Sequence, residues 1–404
     1  MTGAILTLNA GSSSLKFALF RAASPLSAML RGEVSDLFSA PHLIAQDSEG
    51  NVLIDRQWQD SGDGGVSVIL RTMLEFIDVH AGHDGLVAVG HRVVHGGADH
   101  IAPERVTPAL LQSLTAIIAL DPIHMPHNLA LIHAIDVARP KLVQIACFDT
   151  AFHRSLPPVA QRFALPRTIS DAGVRRYGFH GLSYEYIAGQ LRDEAPVLAR
   201  GRVVVAHLGA GASLCALLDG TSIATTFGFS VLDGLVMATR CGSLDPGVIL
   251  YLARLGHSFA SIEDMLYNQS GLLGVSGISA DIRVLLANKD VRAQEAIELF
   301  TYRLAIEIAG MASALGGLDG IVFTAGIGSH SPEIRAAVCE RLSWLGVRLD
   351  RAANHASASC ISAEDSGVDV RVMATDEEAM ISRNVRDQLL SPKITAGNSG
   401  ARDG

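Results

Sequence analysis

One short design occurs twice in this chain, and the repetition limits what the chain can fold into. Residues 6–20 read LTLNAGSSSLKFALF: two apolar, strand-forming runs around a knot of small polar residues. Residues 202–220 read RVVVAHLGAGASLCALLDG: a β-branched run, the knot from His207 to Ser213, a second apolar run, and the turn Asp219, Gly220. Strand formers flanking turn residues predict a hairpin in each place, with Lys16 on the face away from Phe17. Laid together, Gly11 to Leu15 falls on Gly211 to Leu214 with one residue's slack. A spacing of roughly 200 residues in a chain of 404 predicts two units on one plan, each offering a small-residue hairpin to a shared cleft. A serine-rich turn alone is commonly just a turn. Two in corresponding positions suggest backbone N–H groups and hydroxyls converging on an anion.

Residues 320–330, GIVFTAGIGSH, hold a third small-residue turn. The strand Ile321, Val322, Phe323 runs into a glycine turn over 325–328, and Ser331, Pro332 and Glu333 open a helix. Strand, glycine turn and helix N-terminus is how a parallel sheet receives a nucleotide. Apolar residues at helical spacing predict helices over 108–120, 128–138, 183–193, 293–314 and 376–390. The small polar tail after Pro392 reads as disordered.

Hydrophobic residues make up 49% of the chain, so it can bury large cores. Single cores stop growing near roughly 250–300 residues, so two or three domains are expected. The formal net charge of -9 reads against nucleic-acid binding, which leaves a basic footprint. An anionic substrate would need a local cluster of cations. Cys147, Cys215, Cys241, Cys339 and Cys360 are odd in number and scattered without a CxxC pair, which predicts reduced core or near-core thiols in a cytoplasmic protein. The first apolar run breaks at Asn9 with no basic region ahead of it, unlike a signal peptide. No apolar stretch approaches a membrane span.

Four segments place charge among glycine and proline, where backbone and side chain can approach a ligand closely: GHRVVHGG (90–97), DPIHMPHN (121–128), RRYGFHG (175–181) and TRCGSLDPG (239–247). Arg92 and Arg240 read as forks for a carboxylate or phosphate. Arg175 and Arg176 read as a solvated face. His91, His95 and His100 have the look of a metal cluster, but strand alternation sets His91 and Arg92 on opposite faces and no thiolate pair completes a zinc set. Cys241 has no basic partner identifiable in the sequence, so it reads as an inert thiol.

The segments LNAGSSSLKF, GHRVVHGG, FDTAFH, RRYGFHG, AHLGAG, TRCGSLDPG, DIR, AGIG and TDEE occur in the order and spacing of the acetate kinases. The chain, from about Ile5 to about Arg386, thus resembles the acetate and propionate kinase branch of the actin, Hsp70 and sugar-kinase superfamily. The resemblance implies an α/β fold of two domains, a duplicated ribonuclease H-like plan around a central nucleotide cleft. The expected first domain is 1–149 plus 382–404 and the second 150–381, with the carboxy-terminal helix returning to the first. It implies Mg²⁺ or Mn²⁺ dependence, ATP and ADP as co-substrates, a small carboxylic acid as partner, and a homodimer. Asn9 resembles a ligand of the phosphate or metal site, with Ser12, Ser13 and Lys16 nearby, and Glu377 the glutamate that holds the metal through water. Arg92 and Arg240 resemble the arginines that clamp the acyl carboxylate and the phosphoryl group in flight. His180 resembles the histidine that hydrogen-bonds that group, and Asp149 the cleft aspartate. His207, Leu208, Gly209, Ala210 and Gly211 match the second phosphate loop. Asp281, Ile282 and Arg283 match the nucleotide-touching DxR, and Gly326, Ile327, Gly328, Ser329 and His330 the adenosine turn. Val94, Ile123, Phe179 and Val231 fall where the acyl methyl group is held, with His124 their polar neighbour. Four positions depart from the usual pattern: Ala210 for Asn, Ser329 and His330 for Glu-Asn, Val231 for Pro, and Tyr184 for His.

The activity implied is reversible, magnesium-dependent phosphorylation of acetate by ATP, with propionate or another short-chain acid as the alternative substrate. The chemistry agrees with an acid as acceptor: a carboxylic acid of pKa about 4–5 is already ionised at pH 7 and needs no base. It needs cations to bring two anions together, so Asp149 is assigned to positioning the metal and arginine. A nucleotide-gated switch would share the hairpins without the arginine pair. A sugar kinase would need a polar acceptor site and a base. Closure over the nucleotide is expected, because water must be kept from the transferring group.

Overall fold

A computed structural model describes residues 2–11, 14–23, 27–37, 39–58 and 65–391. Ser12, Ser13 and the tail after Pro392 lie outside the described residues. The first sheet contains β1 (Ala4–Ala10), β2 (Leu15–Arg21), β3 (Ala28–Ser35), β4 (His42–Asp47), β5 (Val52–Gln57), β6 (Leu86–Val93), β7 (Glu104–Arg105) and β8 (Val143–Phe148), in the order β5-β4-β3-β2-β1-β6-β8-β7. The second contains β9 (Arg202–Leu208), β10 (Ala212–Leu218), β11 (Thr221–Thr225), β12 (Gly320–Thr324) and β13 (Asp369–Val372), in the order β11-β10-β9-β12-β13.

The duplication is visible in the pairing. In the first sheet β1 runs antiparallel to β2 and β2 to β3, while β1, β6 and β8 are parallel. In the second, β9, β10 and β11 are antiparallel in turn, while β9, β12 and β13 are parallel. Both are the same five-strand plan, and the first sheet adds β4 and β5 at one edge and β7 at the other. This is the duplicated ribonuclease H-like architecture expected. Both predicted hairpins form: Ala10 closes on Leu15, and Leu208 on Ala212.

Helices cover both sheets: α1 (Gly65–His80), α2 (Pro108–Ala116), α3 (Met125–Ala138), α4 (Gly181–Glu194), α5 (Pro246–Arg254), α6 (Phe259–Asn268), α7 (Ile282–Ala287), α8 (Val291–Leu315), α9 (Ala325–His330), α10 (Pro332–Arg341) and α11 (Glu377–Leu390). The central strands bury both faces, which is why they read as continuous apolar runs. Leu6 and Leu8 of β1 pack with Met73 and Ile77 of α1 and Ile135 of α3, while Ile5 packs with Ile381 and Val385 of α11. In β9, Val203 and Val205 meet Ile187 and Leu191 of α4, while Val204 and Ala206 share a core with Phe300 and Leu304 of α8. Gly90 of β6 lets α11 approach: a Cβ there would sit 2.4 Å from Ile381 and 2.6 Å from Val385. The helix expected to return to the first sheet does so as one piece, and the 381/382 boundary falls inside it.

Two local expectations need correction. The glycine turn after β12 is not a loop: it is coiled into α9, with Ala325 at a left-handed φ of 63°. Cys360, expected in or near the core, is exposed beside the bridge to Arg371 of the edge strand β13, whereas Cys147, Cys215 and Cys339 are buried and Cys241 half-buried. All five thiols are free.

Candidate active site

The parallel strands deliver their functional residues at their carboxyl ends, where open α/β sheets form ligand crevices. Asn9, Arg92 and His207 are the last but one residues of β1, β6 and β9, Asp149 follows β8, and Gly326 lies just beyond β12. A chain of polar contacts links them. Asn9 Nδ2 donates to Glu377 Oε2 at 2.9 Å and Glu378 Oε1 at 3.2 Å. Arg92 Nη1 donates to Asn9 Oδ1 at 3.4 Å, and Nη2 to Asp149 Oδ2 at 2.7 Å. The same Asp149 oxygen accepts from the His180 backbone N–H at 3.2 Å. His180 holds a left-handed φ of 60° at the start of α4, a costly conformation for a residue with a Cβ.

Across the cleft the rings of His180 and His207 stack with centroids 4.0 Å apart. Gly211 in the β9–β10 turn leaves the space in front of them open. A Cβ there would sit 2.7 Å from Arg240 Nη2 and 3.4 Å from His180 Nε2, so Arg240, the turn and the ring converge. Arg240 Nη1 donates to the Val231 carbonyl at 2.9 Å.

Charge at the site follows from burial and neighbours. Burial presses the Arg92 guanidinium down, but Asp149 and Glu377 outweigh it and hold Arg92 above its ordinary value. Burial lowers Arg240, and the charge of Arg92 adds to the effect. His180 is held well below the usual imidazole range by burial first, then by His207, Arg92 and Arg240. Burial takes His207 down to about 4, so both rings are neutral at pH 7. Burial pushes the Glu377 carboxyl up to about 7 against the pull of Arg92.

The acyl-site residues gather in part. Val94, Phe179 and Val231 are buried in one apolar cluster, and Val94 is pinned by its N–H to Asn128 Oδ1 at 2.9 Å. Ile123 is half-buried on the loop before α3. Next to it His124 turns its Nδ1 to Asp121 Oδ1 at 3.0 Å. Beyond the β9–β10 turn, a cavity of about 850 Å³ is lined by Gly209, Ala210, Asp281, Ile282, Arg283, Gly326, Ile327 and His330. Leu208, Gly328 and Ser329 are buried behind it. Asp281 caps α7, and its side chain is gripped by Arg283 Nη2 at 2.6 Å, which takes the carboxyl down to about 2. Lys16 lies outside this cavity, exposed on β2 opposite Asn9 and beside Arg31 and Glu378.

The arginine pair departs from expectation. Arg176 is no solvated residue: its Nη1 reaches the carbonyls of Thr226 at 3.0 Å and Phe227 at 2.7 Å, while Arg175 lies over the Tyr177 ring. His91, His95 and His100 part ways: His91 Nε2 meets Gln144, His95 Nδ1 accepts from Gly97 N, and His100 lies between Glu104 and Ser113. The sequence reading missed Glu378 and Arg335. Arg335 is fully buried in α10 and spends its donors on the carbonyls of Gly328, Ser329 and Asn354, Asn354 Oδ1 and Ser357 Oγ, bracing α9 from behind. It carried no signal, because its acceptors are backbone groups and side chains in and just after the short helix Arg351–His355, about twenty residues on.

A family model described as the Acetokinase family matches residues 4–383. The chain belongs to the acetokinase family. The acetate kinase of Rhodopseudomonas palustris (strain TIE-1) is 53% identical over 394 residues, covering 95% of this chain and 98% of that one. Among solved structures, a propionate kinase from Francisella tularensis subsp. tularensis SCHU S4 superposes with a TM-score of 0.88 at 34% identity, covering 95% of this chain and 99% of its own. Porphyromonas gingivalis acetate kinase gives 0.86 at 32%, covering 96% and 100%. In this acetokinase Ala210 and His330 are on the cavity wall. Val231 acts on Arg240 through its carbonyl, which a proline would also present.

Proposed function

We propose that the chain transfers the terminal phosphoryl group of ATP to acetate, reversibly, by direct in-line displacement, giving acetyl phosphate and ADP. The observation that carries this reading is how Asp149 is held. One of its oxygens is taken by Arg92 and by the His180 backbone N–H. Its other oxygen, Oδ1, has no partner and is the one left for a metal ion, which suits positioning rather than proton abstraction. An acid acceptor needs no base, since its carboxylate is already the nucleophile at pH 7. What it needs is positive charge between two anions, and Arg92 and Arg240 supply it. Neutral His180 donates to the phosphoryl oxygens without adding charge. His207 and the Gly209–Gly211 turn receive the phosphates. The cavity beyond takes the nucleoside between Asp281, Ile282 and Arg283 on one side and residues 326–330 on the other. Val94, Ile123, Phe179 and Val231, with His124, hold the acid's methyl end.

The residues present fit a hard divalent cation. Asp149 Oδ1 is buried without a partner, and Asn9, Glu377 and Glu378 offer further oxygens close by. Among the described residues no three His, Cys, Asp or Glu side chains form a cage on their own, as suits Mg²⁺, which takes one or two carboxylates and completes its shell with water and phosphate. Bound there, Mg²⁺ or Mn²⁺ would neutralise phosphate charge.

The units, 1–149 with 382–404 and 150–381, close over the nucleotide. The chain also pairs with itself: Leu250, Tyr251 and Leu255 of α5 and Phe259 of α6 are exposed, Phe259 at 81%, an apolar surface suited to a second copy. Five free thiols suit a cytoplasmic location. Among the described residues no helix is long and apolar enough to cross a membrane.

The test is an acyl-phosphate assay on the purified chain with ATP, Mg²⁺ and acetate, propionate or glycerol, trapping product with hydroxylamine. Acetate should exceed propionate in kcat/KM by about tenfold to a few hundredfold, the value of one methylene in a closed pocket. Propionate ahead of acetate moves the assignment to the alternative acid. Turnover of glycerol without any acyl hydroxamate overturns the reading.

A further inference from the structure

Behind His180 runs a hydroxyl relay. Tyr184 of α4 is fully buried, and its phenol oxygen is 2.5 Å from Ser213 Oγ. Ser213 of β10 is fully buried too, and its Oγ is 2.9 Å from His180 Nδ1. Among the described residues neither hydroxyl has another hydrogen-bond partner.

Counting protons decides the direction. Two links join three groups. The phenol and the serine hydroxyl carry one proton each, so they fill both links if Tyr184 donates to Ser213 and Ser213 donates to His180 Nδ1. A proton on Nδ1 would make three protons for two links. One hydroxyl would then be a donor without an acceptor in a dry interior, which costs the full desolvation of that group. Tyr184 is suited to the donor role: burial drives its phenol well above the ordinary value, so it keeps its proton.

We propose that Tyr184 and Ser213 are positioning residues that lock His180 in the tautomer with its proton on Nε2, presenting a neutral N–H donor to the phosphoryl group in transfer. The ring cannot easily turn away. It is stacked on His207 and edged by Phe227 at 5.0 Å, and its Nε2 faces the Gly211 turn. The same count applies next door: Ser183 Oγ, 2.8 Å from His207 Nδ1 and otherwise unpartnered among the described residues, donates to that ring and turns its N–H toward Gly209. Chained hydroxyls polarise one another, so a phenol at the far end strengthens the final donor without bringing a charge into the site. The position usually held by histidine in the family thus has a residue with one unambiguous donor. A histidine there can be either donor or acceptor.

The relay matters for catalysis only on the acetate kinase reading, but the tautomer is measurable without substrate. The experiment is ¹⁵N-edited histidine spectroscopy of the full-length chain, with His180 assigned by the resonance lost in His180→Gln. The wild type should show His180 protonated on Nε2 and bare on Nδ1. Ser213→Ala should give a mixture of tautomers and lower kcat roughly tenfold to a hundredfold, as loss of an outer-shell partner does. KM for acetate and nucleotide should stay within about twofold, the mark of a contact used in the transition state. Tyr184→Phe, which keeps the ring and hence the packing, should lower kcat severalfold, and Ser213→Thr should restore the wild-type spectrum. Protonation on Nδ1 in the wild type, or a Ser213→Ala enzyme with unchanged spectrum and kcat, overturns the relay. A chain that makes no acyl phosphate but shows the Nε2 proton would keep the relay and remove its target, which separates the two failures.

Discussion

At the first hairpin the turn follows Asn9, whose amide bonds two glutamates from α11 and whose oxygen accepts from Arg92. At the second, the corresponding turn is Gly209, Ala210 and Gly211. It follows His207, whose ring is backed by Ser183, stacked on His180, and turned with its Nε2 toward Gly209. The two sheets share a strand plan, yet the first turn is set among the charged side chains of β6 and α11, and the second among backbone groups and neutral rings with Arg240 beside it. The division suits the two ligands. On the proposed reading a metal ion and a small acid would be held by charge, and a nucleotide's phosphates by the backbone of a glycine turn.

The largest effects should come from the two arginines, one beside each turn. Arg92→Ala and Arg240→Ala should each lower kcat by about 10²–10³-fold, the usual cost of one transition-state donor. They should differ in stability. Asp149 is fully buried, and removing Arg92 leaves it without its counter-ion, so Arg92→Ala should unfold several degrees earlier, whereas Arg240→Ala, which releases only a carbonyl, should not. Equal melting temperatures would break the distinction between the two arginines.

On the backbone side, Gly211→Ala should lower kcat by roughly tenfold to a hundredfold, since its Cβ would displace Arg240 from a position 2.7 Å away and misplacement by about 1 Å is that expensive. Gly82→Ala on a surface turn with nothing nearby serves as the control and should leave kcat alone.

A smaller effect is a loss of stability in acid. His91 in the first sheet and His207 in the second are both held at about 4 by burial, against a usual value of about 6.5. Between pH 6.5 and 4 the unfolded chain therefore binds more protons than the folded one, so stability is full above pH 6.5 and falls as pH drops toward 4. Each ring should account for about 1–2 kcal/mol between pH 7 and pH 5. Urea titrations of His91→Gln should show a shallower slope over that interval, and an unchanged slope would mean that the ring is not buried neutral.

The smallest effect belongs to the fastening of the second sheet. Asp319, before β12, accepts from the backbone N–H and guanidinium of Arg202 at the start of β9, and these hydrogen bonds hold its carboxyl below the ordinary value. A depressed carboxyl stabilises above its unfolded pKa and loses that contribution as pH falls through the folded value. The pair is more than a third exposed, so Asp319→Asn should cost about 1 kcal/mol or less at pH 7, and less as the pH falls below the ordinary carboxylate range. No counterpart of this clamp is needed in the first sheet, where α11 crosses β1 and β6.

What could be read in the sequence was what is local. The hairpins, the strand before residue 325 and the helix ends are written in runs of a few residues, and the duplicated plan follows from two such runs. Arg335, Ser213 and Arg176 were not legible for the opposite reason. Arg176 finds its acceptors about fifty residues on, in backbone carbonyls that any sequence would supply. The serine at 213 reads as one more small residue of a turn until Tyr184 is seen against it. Charged and motif-bearing side chains announced the site, whereas the neutral groups that orient them did not.

The division of labour between the two sheets is tested most directly by calorimetric titration of ADP into Arg92→Ala, with its kcat measured on the same preparation. If Arg92 serves the chemistry while the phosphate grip lies with the β9–β10 turn, ADP should bind within about threefold of the wild-type affinity while kcat falls by two orders of magnitude or more. A loss of ADP affinity as large as the loss of kcat would contradict the account.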